Sequence, residues 1–225
     1  MRPLSLPLAL TARLSPVVVL AAAGWALTSG PFAATPESEP QAQTETKTEN
    51  QSASAPSTAA ASKTYTDAPA PCESVPKATV TSLVPGAKTA GKEIPSTDTD
   101  LRRTCSWNAL KGYDYRWLDV SFEITESDEK ARKSYADRVE DKSGGGEVPG
   151  LGDAGYSVVN LTTEDGQKTR EGVVLAQVSN ALVVVTYNGS DFETKEAPSS
   201  DEINKGAIKA AKAAVAALED GASKG

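Results

Sequence analysis

The sequence predicts an α+β fold: an antiparallel five-stranded sheet with helices packed on both faces, in the order α-β-β-α-β-β-β-α, with a two-layer α+β sandwich as the alternative. Three observations carry this. Residues 156–161, 172–178 and 181–187 read as consecutive strands. The last two, through Val173-Val174-Leu175-Ala176 and Val183-Val184-Val185, are apolar on both alternating faces, a pattern that needs cover on two sides. Asp165-Gly166 within a polar run and Ser179-Asn180 between apolar runs are short enough to make antiparallel hairpins. The helical patterns are split, two before the triple strand and one after it, which favours helices on both sides of one sheet.

Taken in order, the chain opens with Arg2 and Arg13 around a run, residues 14–27, of Val, Ala and Leu broken only by Ser15, Pro16, Gly24 and Trp25, and no charge follows until Glu37. This is an export signal. Pro31 opposes cleavage at Thr28-Ser29-Gly30, and residues 14–34 supply the roughly 20 uncharged residues that span a bilayer. Residues 1–34 therefore read as a signal peptide or a retained signal anchor, the arginines staying inside. No cysteine lies near the end of the apolar run to carry a lipid. Residues 35–71 are Ala, Ser, Thr, Pro, Gln and Glu with Tyr65 as the larger apolar side chain, too little to offset ordering entropy, and read as a disordered linker. Residues 72–225 are the single folded domain.

Within it, Ser74 is expected to cap a short helix with Pro76 in the first turn and Val80, Leu83 and Val84 as its stripe, ended by Pro85-Gly86. Residues 86–101 are polar and read as a loop. Residues 104–110 form a strand bearing Cys105 and Trp107, Lys111-Gly112 turns the chain, and residues 115–124 alternate. Leu118, Val120, Phe122 and Ile124 take one face of that strand, Tyr115 and Trp117 the other. Thr125 with Asp128, or Ser127 alone, caps a second helix with Ala131, Tyr135 and Val139 at four-residue spacing, and residues 143–146 end it. After the triple strand a polar connection, residues 191–199, leads to Ser200-Asp201-Glu202. These start a third helix with Ile203, Ala207, Ala211, Ala214, Val215 and Leu218 on one side and Gly221 as its stop.

The formal charge of −7 divides into +2 over residues 1–34, −3 over 35–71 and −6 over 72–225, so no basic surface is expected after the N-terminus and nucleic acid is excluded as a partner. There is no histidine, which removes the commonest general base and zinc ligand. No cofactor, metal or catalytic residue is assigned. In an exported chain the two cysteines, Cys72 and Cys105, are expected to bond to each other, closing a loop of about 34 residues.

Gly150-Leu151-Gly152-Asp153-Ala154-Gly155 matches the letters of the dinucleotide fingerprint but precedes a strand rather than opening a helix, so it reads as a glycine turn in which Asp153 accepts backbone amides. Trp107, Tyr113, Tyr115 and Trp117 crowd one hairpin. Trp107, on the strand face of Cys105, reads as core. Tyr113, Tyr115 and Trp117 are the candidate contact residues for a protein, peptide or saccharide. Asp114, Asp119 and Glu123 on the same hairpin are the candidates for a carboxylate-dependent hydrolase, the competing function. Asn50, Asn160 and Asn188 each start a glycosylation sequon.

The series Pro71-Cys72-Glu73-Ser74-Val75-Pro76, Cys105-Ser106-Trp107 and Val148-Pro149-Gly150-Leu151-Gly152-Asp153-Ala154 resembles a family of small exported actinobacterial domains, many of them lipoproteins, over residues 71–218. The resemblance implies a cell-envelope location, a Cys72–Cys105 bridge and an α/β sandwich, and assigns no activity. More distantly the chain is similar to the extracytoplasmic sensor domains of mycobacterial membrane kinases. The functional expectation is an exported, non-enzymatic binding or sensor-like domain on a flexible tether. It is secreted or held in the membrane by residues 14–34.

Overall fold

A computed structural model describes residues 63–222; residues 1–34, read as an export segment, and residues 35–62 of the expected linker lie outside the described residues. The 3-10 turn Pro71–Glu73 and helix α1 (Lys77–Leu83) lead into strands β1 (Lys92–Ile94), β2 (Arg102–Lys111) and β3 (Asp114–Ile124). Helix α2 (Asp128–Glu140), strands β4 (Gly146–Glu147), β5 (Ala154–Glu164), β6 (Gln167–Val178) and β7 (Ala181–Asp191), and helix α3 (Ser200–Ala222) follow. All seven strands form one antiparallel sheet in the order β1-β2-β3-β7-β6-β5-β4.

The expected five strands are thus corrected to seven. The two added strands, β1 and β4, are three and two residues long and consist of exposed residues. Segments this short carry no alternation to read, and only their pairing with β2 and β5 defines them. Each lies at an outer edge of the sheet, where very short strands limit further edge pairing.

Period-2 alternation and the register place Leu118 beside Tyr187, Val120 beside Val185 and Phe122 beside Val183, with Trp107 and Cys105 continuing the same face on β2. Helix α3 lies on this front face. A Cβ built on Gly172 would meet Ile203 at 3.0 Å and Ala207 at 3.3 Å, and one on Gly206 would meet the Tyr187 ring at 2.6 Å. These glycines let helix and sheet approach closely. Tyr187 Oη donates to Leu83 O at 2.7 Å, tying α1 to the same side. The main core therefore joins Val80, Leu83 and Val84 of α1, the β3 and β7 residues above, and Ile203, Ala207, Ala211 and Leu218 of α3. On the back face Leu175, Leu182 and Val158 are buried along with Ala131 of α2, and Arg138 of α2 pairs with Glu123 of β3 at 2.5 Å. The class is α+β, with α1 and α3 on one face and α2 on the other.

The caps differ from expectation in one place. Ser127 does cap α2, accepting from Lys130 N. Ser74, however, spends its hydroxyl on Pro71 O at 2.6 Å, and α1 starts after Pro76 with no side-chain cap. Helix α3 starts at Ser200 as expected, with the preceding Ser199 accepting from Glu202 N. Cys72 and Cys105 are bonded, and Trp107 is buried on the Cys105 face, its Nε1 donating to Thr89 O at 3.1 Å.

The folded unit also begins before Cys72. Tyr65 and Ala68, assigned to the linker by composition, are 7% and 5% exposed. Asn180, in the β6–β7 turn, accepts from Tyr65 N and donates to Tyr65 O, both at 2.8 Å. A polar segment with few apolar side chains is held because one buried amide satisfies its backbone. Among the described residues no helix is long and apolar enough to cross a membrane.

Candidate functional site

Tyr115 and Trp117 project from β3 on the back face, opposite Arg116 and Leu118. Both are partly buried, while Tyr113 in the β2–β3 turn is 57% exposed. The two β3 rings meet edge to face, centroids 6.3 Å apart and planes at 87°. Trp117 Nε1 donates to Asp119 Oδ1 at 2.6 Å, which fixes the indole along the strand. The next carboxylate on the same face of β3, Glu123, is instead held by α2.

A third ring was not legible in the sequence. Phe192, in a connection otherwise polar, is 48% exposed and packs 5.9 Å from Tyr115 at a 35° tilt. Its backbone N–H donates to Tyr113 O at 3.0 Å, extending the β3–β7 ladder past its last pair, Asp114 with Asp191. Asp191 then accepts from Thr194 and Glu193 to fold the chain back. The signal available was a lone aromatic straight after a strand. Its partner could be identified only from the register.

Around these rings the register sets Asn108 and Asn188 on either side of Trp117, Ser106 and Thr186 on either side of Asp119, and Glu171 beyond Asn188. Asn188 lies six residues, about 20 Å, along β7 from Leu182, where α2 packs. The aromatic end of the back face is therefore the end away from α2. On β2, β3, β7 and β6 it presents amides, hydroxyls and the carboxylates of Asp119 and Glu171, and on the edge strand β1 the exposed Lys92 lies beside Ser106. Ser106 Oγ is buried there without a hydrogen-bond partner among the described residues. Burial first, and the Asp119 charge second, hold the Tyr115 hydroxyl above the ordinary tyrosine value.

The carboxylates proposed for hydrolysis are not brought together. Asp114 is on the front face and Asp119 on the back, as their odd separation of five residues along one strand requires. Glu123 is on the back face but paired to Arg138. The glycine turn at residues 150–155 does hold Asp153 as a backbone acceptor, but of Ser179 N in the β6–β7 turn, at 2.7 Å. Among the described residues no cluster of three or more potential metal ligands occurs.

No protein-family model and no curated protein matches the chain. Two solved structures show weak likeness. One is a crystal structure from Bacteroides thetaiotaomicron, at TM-score 0.31 and 10% identity over 49% of this chain and 50% of that one. The other is the extracellular domain of PknH from Mycobacterium tuberculosis, at TM-score 0.27 and 14% identity over 52% of this chain and 64% of that one. The chain thus spans about half to two-thirds of the length of these structures, and likenesses at this level carry no argument about function.

Proposed function

We propose that the domain is an extracytoplasmic binding domain whose contact surface is the aromatic end of the back face, and that its ligand is a saccharide of the cell envelope without acidic groups. The observation that carries this is the group Tyr115, Trp117 and Phe192, left partly or largely open on the sheet end away from α2, with Trp117 held in place by Asp119. Fixed rings offer flat apolar surface to the C–H faces of a sugar at little entropic cost, and the neighbouring Asn108, Asn188 and Asp119 supply donors and acceptors for its hydroxyls. Two carboxylates, against the single lysine that β1 adds at the edge through Lys92, disfavour acidic polymers. The apolar run at residues 14–34 and the Cys72–Cys105 bridge support a location outside the cytoplasm.

The test is co-sedimentation of the protein with insoluble envelope polysaccharide, alongside Trp117→Ala. The variant should be retained at least tenfold less, about 1.4 kcal/mol of binding. It should still unfold cooperatively, with a stability loss of about 1–3 kcal/mol, below the 3–5 kcal/mol of a fully buried Trp. Equal retention of the two proteins would reject the surface, and retention of neither on neutral or amino-bearing polysaccharide would reject the ligand class.

A further inference from the structure

The opposite face of the same strand carries a second feature, independent of the aromatic surface. A cavity of about 290 Å³ lies between the end of α1 (Ser82, Leu83, Pro85), the end of β2 (Lys111), the front face of β3 and β7 (Asp114, Arg116, Tyr187) and the first turn of α3 (Glu202). Arg116 is its most buried charged lining residue, its side chain only 14% exposed against 58% for Asp114 and 50% for Glu202. The guanidinium donates to Glu202 Oε1 at 3.0 Å, to Asp114 Oδ1 at 3.4 Å and to Tyr115 O at 3.0 Å. Its charge is therefore already used in fixing two carboxylates, one from the sheet and one from the helix. Among the described residues Asp114 Oδ2 and Glu202 Oε2 make no hydrogen bond, and the Lys111 ammonium has no carboxylate partner. Leu83 and Pro85 line the apolar side.

We infer that this cavity binds a small zwitterion, a free amino acid or short unblocked peptide, with its ammonium at Asp114 and Glu202 and its carboxylate at Lys111. Charge balance selects this class. The four ionised side chains sum to zero, so an anion would face two carboxylates, a cation would face Lys111 and Arg116, and an apolar molecule would strand the open carboxylate oxygens. A ligand with one charge of each sign satisfies both ends. Size selects it as well, since the volume is at the lower bound of about 300–1,000 Å³ that accommodates drug-sized ligands. Arg116 acts as a positioning residue, orienting the two carboxylates rather than meeting the ligand.

The experiment titrates the full chain, followed by backbone and indole amide NMR, with L-alanyl-L-alanine, its N-acetyl derivative and its C-terminal amide. The free dipeptide should shift the Ser82, Lys111 and Glu202 amides while leaving Trp117 Nε1 unmoved, and each blocked form should bind about tenfold more weakly. Lys111→Met should abolish the preference for the free carboxylate over the amide, and Glu202→Gln should reduce the preference for the free ammonium over the N-acetyl form. Lys111 is exposed at the end of β2, so that variant keeps the fold. No shift at these amides, equal binding of all three compounds, or an unchanged preference in both variants would overturn the assignment. Because the probes report at the front face and the saccharide assay at the back, either reading can fail without the other.

Discussion

Arg116 lies across Gly189. The two residues are paired in the β3–β7 register, and a Cβ placed on Gly189 would sit 2.9 Å from Arg116 Nη1 and 3.0 Å from its Cδ. The backbone of Gly189 has no positive φ, so what the glycine supplies here is space. Through that space Arg116 reaches from the third strand to Glu202 on the last helix. On the other side of Gly189, Arg170 of β6 donates to Pro198 O just before that helix begins. The start of α3 is thus clamped to the sheet by two arginines flanking a residue without a side chain.

Gly189→Ala should push Arg116 off this path and lower stability by about 1–3 kcal/mol, the usual cost of overpacking. Urea midpoints of the single and double variants measure it. In an Arg116→Ala background the penalty at position 189 should shrink but persist, because Pro198 Cγ would also lie 2.9 Å from the added carbon. A full penalty in both backgrounds would show that Arg116 is not the obstructed group.

The Cys72–Cys105 bond joins residues 33 apart, tying the 3-10 turn at Pro71–Glu73 to the sheet. Constraining a loop of that length should contribute about 4 kcal/mol on the chain-entropy model. Denaturant unfolding with and without reductant should show the loss, and Cys72→Ser should reproduce it. Gly91→Ala should weaken the same corner with both cysteines retained: Gly91 has φ +66°, and an added Cβ would press on Cys105 Sγ at 2.5 Å and on Trp107 Nε1 at 2.6 Å.

Alkaline pH should destabilise the domain through Tyr187. Burial raises its hydroxyl above the ordinary tyrosine value, Arg116 pulls it down, and Glu202 and Asp114 add to the rise. The proton is the one donated to Leu83 O. A group whose folded pKa is raised contributes stability that is complete below the unfolded value, about 10 for tyrosine, and is lost as pH rises through the folded value. Unfolding midpoints should therefore fall above about pH 10. Tyr187→Phe should flatten that fall in part, the remainder coming from Tyr65, Tyr115 and Tyr135, which burial also raises. An identical slope in the variant would remove Tyr187 as a source.

The sequence by itself determined the presence of the three helices, the five longer strands and the hairpin at Asp165-Gly166, where both residues take positive φ. These rest on local signals: alternation, four-residue apolar spacing, and a turn pair suited to left-handed backbone. It also placed Tyr115 and Trp117 opposite Leu118 and Val120, because alternation along one strand needs no partner to be read. Only the tertiary structure decided what met those faces. Strands β1 and β4 exist through their neighbours. Tyr65 joins the core because Asn180, 115 residues later, completes its backbone hydrogen bonds. Phe192 reaches Tyr115, and Ser82, Lys111 and Glu202 enclose one cavity, through a register that joins distant segments. Composition scores each residue by its own polarity, whereas burial of a polar segment and convergence of charges depend on which groups the sheet order brings opposite them.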